Sequence, residues 1–140
     1  MRKWLWVAGL AGVMLWLSGC IIIDTEKAES LSSLRSETAE SEEVTIQEID
    51  AVVKLSVENH RRDNYRHIAH RHGLSTGAQV HLVEAVFGNL SRDDAKVDVL
   101  VALVHNRCFH SEAKAAILKH LDELSREDSR RKVLDAMGKK

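Results

Sequence analysis

Four ionisable side chains follow one another at a spacing that could bring metal ligands to one face of a helix. His60, Asp63, His67 and His70 fall within about 80° of one another at 100° per residue. Asp63 and His67 are separated by four residues and His67 and His70 by three, spacings that let carboxylate and imidazole groups share one Zn²⁺ or Cu²⁺. A solvated polar face is the alternative, and both hypotheses are kept.

The same face also carries a concentration of positive charge. Below about pH 6.5 imidazole is mostly protonated, so the face would become strongly cationic. Such a face suits an anionic partner such as a phospholipid, lipopolysaccharide or an acidic envelope protein. The residues of this predicted face are His60, Arg62, Arg66, His67, His70 and Arg71.

A second motif, at residues 111–114, has catalytic spacing. Ser111 and Lys114 match the Ser-x-x-Lys pattern of penicillin-binding enzymes, but the Ser-Asp-Asn and Lys-Thr-Gly motifs that those enzymes also need do not occur in the chain. Ser111 has a simpler explanation as the cap of a helix. Glycine-rich phosphate loops, zinc-finger spacings and His-Glu-x-x-His are also missing from the sequence. We expect a protein without catalytic activity.

Location is indicated by residues 17–20, which read Leu-Ser-Gly-Cys. A positive segment at residues 1–3 and an uncharged apolar segment at 4–17 precede them. Together these features resemble the signal peptide of a bacterial lipoprotein. The resemblance implies cleavage before Cys20, acylation of its thiol and amino group, and attachment to the membrane through lipid at Cys20. Two or three acyl chains make a stable anchor.

The residue after the cysteine bears on which membrane holds the anchor. Ile21 stands there rather than aspartate, and the resemblance then implies an outer-membrane anchor facing the periplasm. The alternative is that residues 4–23 form an uncleaved transmembrane helix, since about 20 apolar residues can span a bilayer.

Composition indicates one all-α domain after the signal. Removing residues 1–19 leaves 121 residues, the size of a single domain with a tether. The chain has no proline and is rich in helix-favouring residues. After the signal the only aromatic residues are Tyr65, Phe87 and Phe109, too few for the stacking platforms of single-stranded nucleic-acid binding. Nucleic acid is therefore not expected as a partner.

Charge divides the chain into two parts. Residues 24–50 hold nine acidic and two basic residues, whereas residues 51–140 hold sixteen basic and twelve acidic residues. Residues 20–41 lack a sustained apolar stripe, so we expect them to form a flexible acidic tether to a helical domain at 42–140.

An internal repeat organises the predicted domain. The sequence Leu-Ser-Arg-Asp-Asp at residues 90–94 recurs 34 residues later, at 124–128, as Leu-Ser-Arg-Glu-Asp, and a fainter copy lies at 55–59. Hydrophobic periodicity places a helix on each side of every copy, which gives six helices in three hairpins. The predicted helices span 43–55, 57–71, 77–89, 92–105, 112–123 and 126–137. Both a bundle and a solenoid fit this pattern.

Several single residues carry specific expectations. Ser56, Ser91 and Ser125 are predicted to cap the second helix of each hairpin. His120 lies on an apolar face and is expected to be a core histidine with one hydrogen bond. Cys108 lies beside Phe109, and burial is favoured over a disulfide between chains.

Overall fold

The computed structural model describes residues 28–139, with side chains from residue 41 onward. This part of the chain forms six α-helices and one 3₁₀ turn and contains no strand, which confirms the all-α prediction. The elements are α1 (Ala28–Val53), α2 (Glu58–Ala69), α3 (Thr76–Asn89), α4 (Asp93–Val104), α5 (Ser111–Lys119), the 3₁₀ turn Leu121–Glu123, and α6 (Glu127–Gly138). The predicted signal peptide and lipid site lie outside the described residues.

The helices form three hairpins, α1–α2, α3–α4 and α5–α6, that stack on one another. The strongest packing joins alternate helices: α3 lies between α1 and α5, and α4 lies between α2 and α6. The fold is therefore a bundle of six helices in two layers of three. Each hairpin buries its apolar side chains against its neighbours in the stack rather than alone.

Helix α4 is the centre of the core. Nine of its twelve residues are buried, because it has a neighbour in its own layer on both sides and α3 beside it. Helix α2, at the end of the same layer, buries only Tyr65, Ile68 and Ala69. The number of buried faces on each helix thus follows from its position in the stack.

Helix α1 begins at Ala28, fifteen residues before the predicted start, so residues 28–41 of the expected flexible tether are helical. The end of α1 is anchored in the core through Ile49 and Val52. No glycine or proline occurs between residues 28 and 53. Once one end of such a sequence is held, each added residue extends the helix without a new nucleation cost.

The predicted serine caps are wrong, and the reason is the stacking of the hairpins. Helices α4 and α6 start after Arg92 and Arg126, and neither start has a side-chain cap. Ser56 is likewise not a cap, because α2 starts after Val57. In α3 the cap is Ser75, whose hydroxyl accepts from the Ala78 N–H at 3.2 Å.

The serines instead bond to the preceding hairpin through an acid at the first position of its second helix. Glu58 of α2 accepts from the Ser91 hydroxyl at 2.6 Å and from the Arg92 N–H at 2.9 Å. Asp93 of α4 accepts from the Ser125 hydroxyl at 3.1 Å and from the Arg126 N–H at 2.8 Å. We call the segments 55–57, 90–92 and 124–126 the corners of the first, second and third hairpins.

The connecting loops on the opposite side of the stack are joined by two buried amides. Gln79 donates to the carbonyls of Leu74 at 2.9 Å and Cys108 at 2.6 Å, and its Oε1 accepts from the His110 N–H at 3.1 Å. Such a side chain satisfies backbone groups that the helices leave without partners.

Asn106 is the second buried amide. Its Nδ2 donates to the carbonyls of Ala69 at 2.8 Å and Arg71 at 2.7 Å, which lie at the end of α2 and just beyond it. The loop between α4 and α5 therefore completes the end of a helix in the first hairpin.

Two of the residues singled out in the sequence lie between the second and third hairpins. His120 is half-buried rather than fully buried; it stacks on Phe87 with ring centroids 5.2 Å apart and bonds to Glu123 at 2.6 Å. Lys96 lies over the same phenylalanine ring, 5.4 Å from its centroid. Cys108 is half-buried, so the expectation of full burial is not met.

Candidate binding groove

A groove of about 610 Å³ runs across α2, α4 and α6. All three helices belong to the same layer, so each contributes a stripe of side chains at helical spacing. Its lining residues are Arg66, His70, Val97, Asp98, Val101, Ala102, His105, Lys132, Asp135, Ala136 and Lys139. We call this feature the α2–α4–α6 groove.

The floor of the groove is apolar and its walls are charged. Val97, Ala102 and Ala136 are buried beneath it, and Val101 is half-buried. The apolar floor is set by α4, the helix with neighbours on both sides, whereas α2 and α6 supply most of the charged side chains. A segment lying across the groove would meet both an apolar surface and charged groups.

Positive charge exceeds negative charge among the lining residues. Arg66, Lys132 and Lys139 are opposed by Asp98 and Asp135, which gives a net charge of +1 with the two lining imidazoles neutral and +3 with both protonated. Among residues 41–139, neither Arg66 nor Lys132 forms an ion pair within 4 Å. Their charges are therefore available to a ligand.

The arginines of the cationic face predicted from the sequence have different surroundings in the structure. Arg71 forms a two-bond ion pair with Glu48 of α1, at 2.6 Å for the Nη2 contact, and this hydrogen bonding holds the pKa of Glu48 below its usual value. Arg62 is paired with Asp63 at 2.8 Å. Of the three arginines on this face, only Arg66 lines the groove. Two of the three arginines on the predicted face are thus already paired with carboxylates.

The four residues proposed as metal ligands are not brought together in the described part of the chain. His60, Asp63 and His67 are exposed on α2, and His70 is exposed at the residue after its end. Within the part of the chain that the structure describes, no three histidine, cysteine, aspartate or glutamate side chains converge on one point. One carboxylate oxygen of Asp63 accepts two hydrogen bonds from Arg62. His70 lies in the groove instead.

Sequence reasoning missed the contribution of α6 to the groove. Lys132 and Lys139 are separated by seven residues, and so they lie on one face of that helix. The spacing alone indicates that the two lysines share a face. It does not indicate that this face and Arg66 of α2 line the same groove on either side of α4. That juxtaposition follows only from the stacking of the hairpins.

The Ser-x-x-Lys motif lies at the start of α5. Ser111 is the first residue of the helix and follows the cap position at His110, one residue away from its predicted role. Its hydroxyl donates to the Glu112 carboxylate at 3.0 Å, and Lys114 is exposed. These contacts are those of an ordinary helix start.

Comparison of the chain with protein-family models, curated proteins and solved structures finds no match. Within residues 28–139, none of the helices combines the length and apolarity needed to cross a bilayer.

Proposed function

We propose that the chain is a lipid-anchored protein of the bacterial envelope whose helical domain binds an acidic, partly apolar segment of a partner protein. The observation that supports binding is the α2–α4–α6 groove, where Arg66 and Lys132, which form no ion pair among residues 41–139, accompany an apolar floor. Carboxylates of the bound segment would pair with Arg66 and Lys132, and its apolar side chains would cover Val97 and Val101.

The acidic groups in the groove favour a protein segment over an anionic lipid surface. Asp98 and Asp135 stand between the cationic positions. They would repel a continuous anionic layer, whereas a peptide can place carboxylates beside the cations and neutral side chains beside the aspartates. The structure thus suits a ligand with a spaced pattern of charge.

A fluorescent peptide of alternating glutamate and leucine is a suitable probe for the groove. We expect it to bind the full chain held in nonionic detergent, more tightly at low salt than at high salt, because surface charge pairs are screened. The double variant Arg66→Glu and Lys132→Glu should weaken binding tenfold or more. Fluorescence anisotropy measures both effects.

The matched control places the same charge change outside the groove. Lys54 and Lys119 are exposed and do not line it, so Lys54→Glu with Lys119→Glu should leave peptide affinity nearly unchanged. Equal loss in the two double variants would show that net charge, not the groove, attracts the peptide. Preferential binding to anionic vesicles that lack any peptide would favour a lipid ligand instead.

The anchor is the second part of the proposal, and it depends on the Leu-Ser-Gly-Cys motif at residues 17–20. Metabolic labelling with a clickable fatty acid should mark the wild-type chain and leave Cys20→Ala unmarked, because the thiol is the lipid acceptor. A wild-type chain that retains residues 1–19 and carries no label would contradict the anchor and favour the uncleaved transmembrane helix.

A further inference from the structure

The exposed large hydrophobic residues of the described chain lie at the two ends of the stack. Four belong to the first hairpin and its corner: Val44, Val53, Leu55 and Val57. The other two, Leu118 and Leu134, belong to the third hairpin. None is in the middle hairpin, which has a neighbour on both sides. The apolar surface left open is therefore surface that another hairpin would cover.

The third hairpin exposes a position that is buried in both hairpins before it. Leu134, the eighth residue of α6, is 44% exposed, whereas the eighth residues of α2 and α4, Tyr65 and Leu100, are fully buried. Leu118 of α5 is also 46% exposed. This end of the stack therefore has the positions of an interface between hairpins without the hairpin that would complete it.

The first hairpin shows the complementary pattern at its corner. The corner leucines of the second and third hairpins, Leu90 and Leu124, are 3% and 0% exposed, whereas Leu55 of the first corner is 37% exposed. Only the second and third corners have a preceding hairpin to pack against. The first corner lacks the contact that buries the other two.

At both ends of the stack, groups in the positions that form hydrogen bonds between hairpins have no hydrogen-bond partner among the described residues. Glu127 is the first residue of α6, in the position held by Glu58 and Asp93, and no described residue donates a hydrogen bond to its side chain. At the first corner, the Ser56 hydroxyl and the Val57 N–H have no acceptor among residues 41–139. One end thus offers the acceptor and the other end offers the donors.

We propose that the chain assembles head to tail, with the first hairpin of one copy stacked on the third hairpin of another. Glu127 accepts from Ser56 and Val57 of the second copy, as Asp93 accepts from Ser125 and Arg126 within one chain. In the other layer α1 of the second copy lies beside α5.

The outer face of α6 has room for such a partner. A shallow groove of about 460 Å³ runs along it, lined by Glu127, Arg130, Arg131, Leu134 and Asp135. None of Leu118, Glu127 and Leu134 lines the α2–α4–α6 groove, so self-assembly does not depend on the proposed binding of a partner protein. A contact between two different faces can be repeated, and it produces a ring or an open filament.

Photo-crosslinking of the full chain expressed in bacterial cells tests the contact, whether or not the chain is lipid-anchored. The crosslinker p-benzoylphenylalanine replaces Leu118 or Leu134 in a tagged copy that is expressed together with an untagged copy. We expect adducts with residues 41–57 of the second copy, mapped by mass spectrometry. The same probe at Glu84, which is exposed on the middle hairpin, should give at least tenfold less of this adduct.

Charge reversal distinguishes the specific contact from general adhesion. Glu127→Lys should lower the yield of the adduct at residue 134 at least fivefold, whereas Asp128→Lys, an exposed neighbour on the same helix turn, should change it less than twofold. Both positions are on the surface, so circular dichroism melting should confirm that each variant folds.

Three results would overturn the proposal. Adducts between the same positions of two copies would indicate a symmetric dimer, and adducts with a different protein would assign the end face to another partner. No adduct at either probe, with the variants folded, would mean that the end face is uncovered in the cell.

Discussion

The second and third corners make the same hydrogen bonds in different surroundings. Glu58 is half-buried where it meets the second corner, whereas Asp93 is only 8% exposed where it meets the third. Hydrogen bonds from Ser91 and Arg92 lower the pKa of Glu58. Burial acts to raise the pKa of Asp93, but the hydrogen bonds from Arg126 and Ser125 outweigh it and the pKa is lowered.

The difference shows that a repeated contact need not contribute equally at each place in a stack. Water replaces the hydrogen bonds of a buried group less readily than those of an exposed one. The Asp93 contact should therefore be more sensitive to mutation than the Glu58 contact, although the number of bonds is similar. Four predictions test this comparison.

The largest loss of stability should come from truncating the corner leucines, which are buried in both the second and the third corner. Leu90→Ala and Leu124→Ala should each lower the free energy of unfolding by about 2 to 5 kcal/mol, because both side chains are buried and truncation leaves a cavity. Leu55→Ala is the control and should cost less than about 1 kcal/mol. Urea unfolding measures all three, and a difference above about 3 kcal/mol between Leu90 and Leu124 would contradict their equivalence.

Truncating Asp93 and Glu58 should cause different losses of stability at the third and second corners. Asp93→Ala removes a buried acceptor together with its hydrogen bonds from Ser125 and Arg126, and should cost about 2 kcal/mol. Glu58→Ala should cost about 1 kcal/mol or less, since solvent reaches the second corner. Thermal unfolding followed by circular dichroism gives both values. Equal losses would show that burial does not distinguish the two contacts.

Replacing the corner serines should lower the free energy of unfolding in the same order, but by smaller amounts. Ser125→Ala removes a donor from buried Asp93 and should cost about 1 kcal/mol, whereas Ser91→Ala should cost about 0.5 kcal/mol. Neither loss comes from a helix cap. Combining Ser125→Ala with Asp93→Ala should therefore cost less than the sum of the single changes, and an additive double-mutant cycle would refute the bond.

Lowering the pH should produce the smallest and most gradual loss of stability. The pKa values of Glu58 and Asp93 are lowered from ordinary values of 4.5 and 3.8, so their contributions are complete above those values and are lost as pH falls through the folded-state pKa values. Denaturant titrations from pH 6 to about 2 should show the loss. The double variant Glu58→Gln and Asp93→Asn should flatten the curve, and an unchanged slope would argue against both contacts.

Much of the fold could be predicted from local patterns, whereas the contacts between hairpins could not. Apolar periodicity located six helices, and the repeat identified Leu90 and Leu124 as equivalent buried residues. The partner of Ser91 is 33 residues away in sequence, and only the stacking brings it close. A serine before a helix is most often a cap, so the local pattern favoured the wrong role.

The candidate groove shows the same limit. The spacing of residues on α2 correctly places polar side chains on its exposed side. It does not reveal that Glu48 of α1 pairs with Arg71, or that Lys132 of α6 faces the same groove as Arg66. The charge pattern of one helix therefore predicts which of its faces is charged. Contacts with the neighbouring helices determine which of those charges are not already paired within the chain.

The bonds made by Asn106 have a consequence for how the protein opens. Its amide holds the carbonyls of Ala69 and Arg71 from the loop between α4 and α5. The last turn of α2 therefore cannot fray alone without breaking bonds to a loop 35 residues further along the chain. Local opening should involve both segments together as one cooperative unit, with matched rates of amide hydrogen exchange, rather than proceeding hairpin by hairpin from the first end.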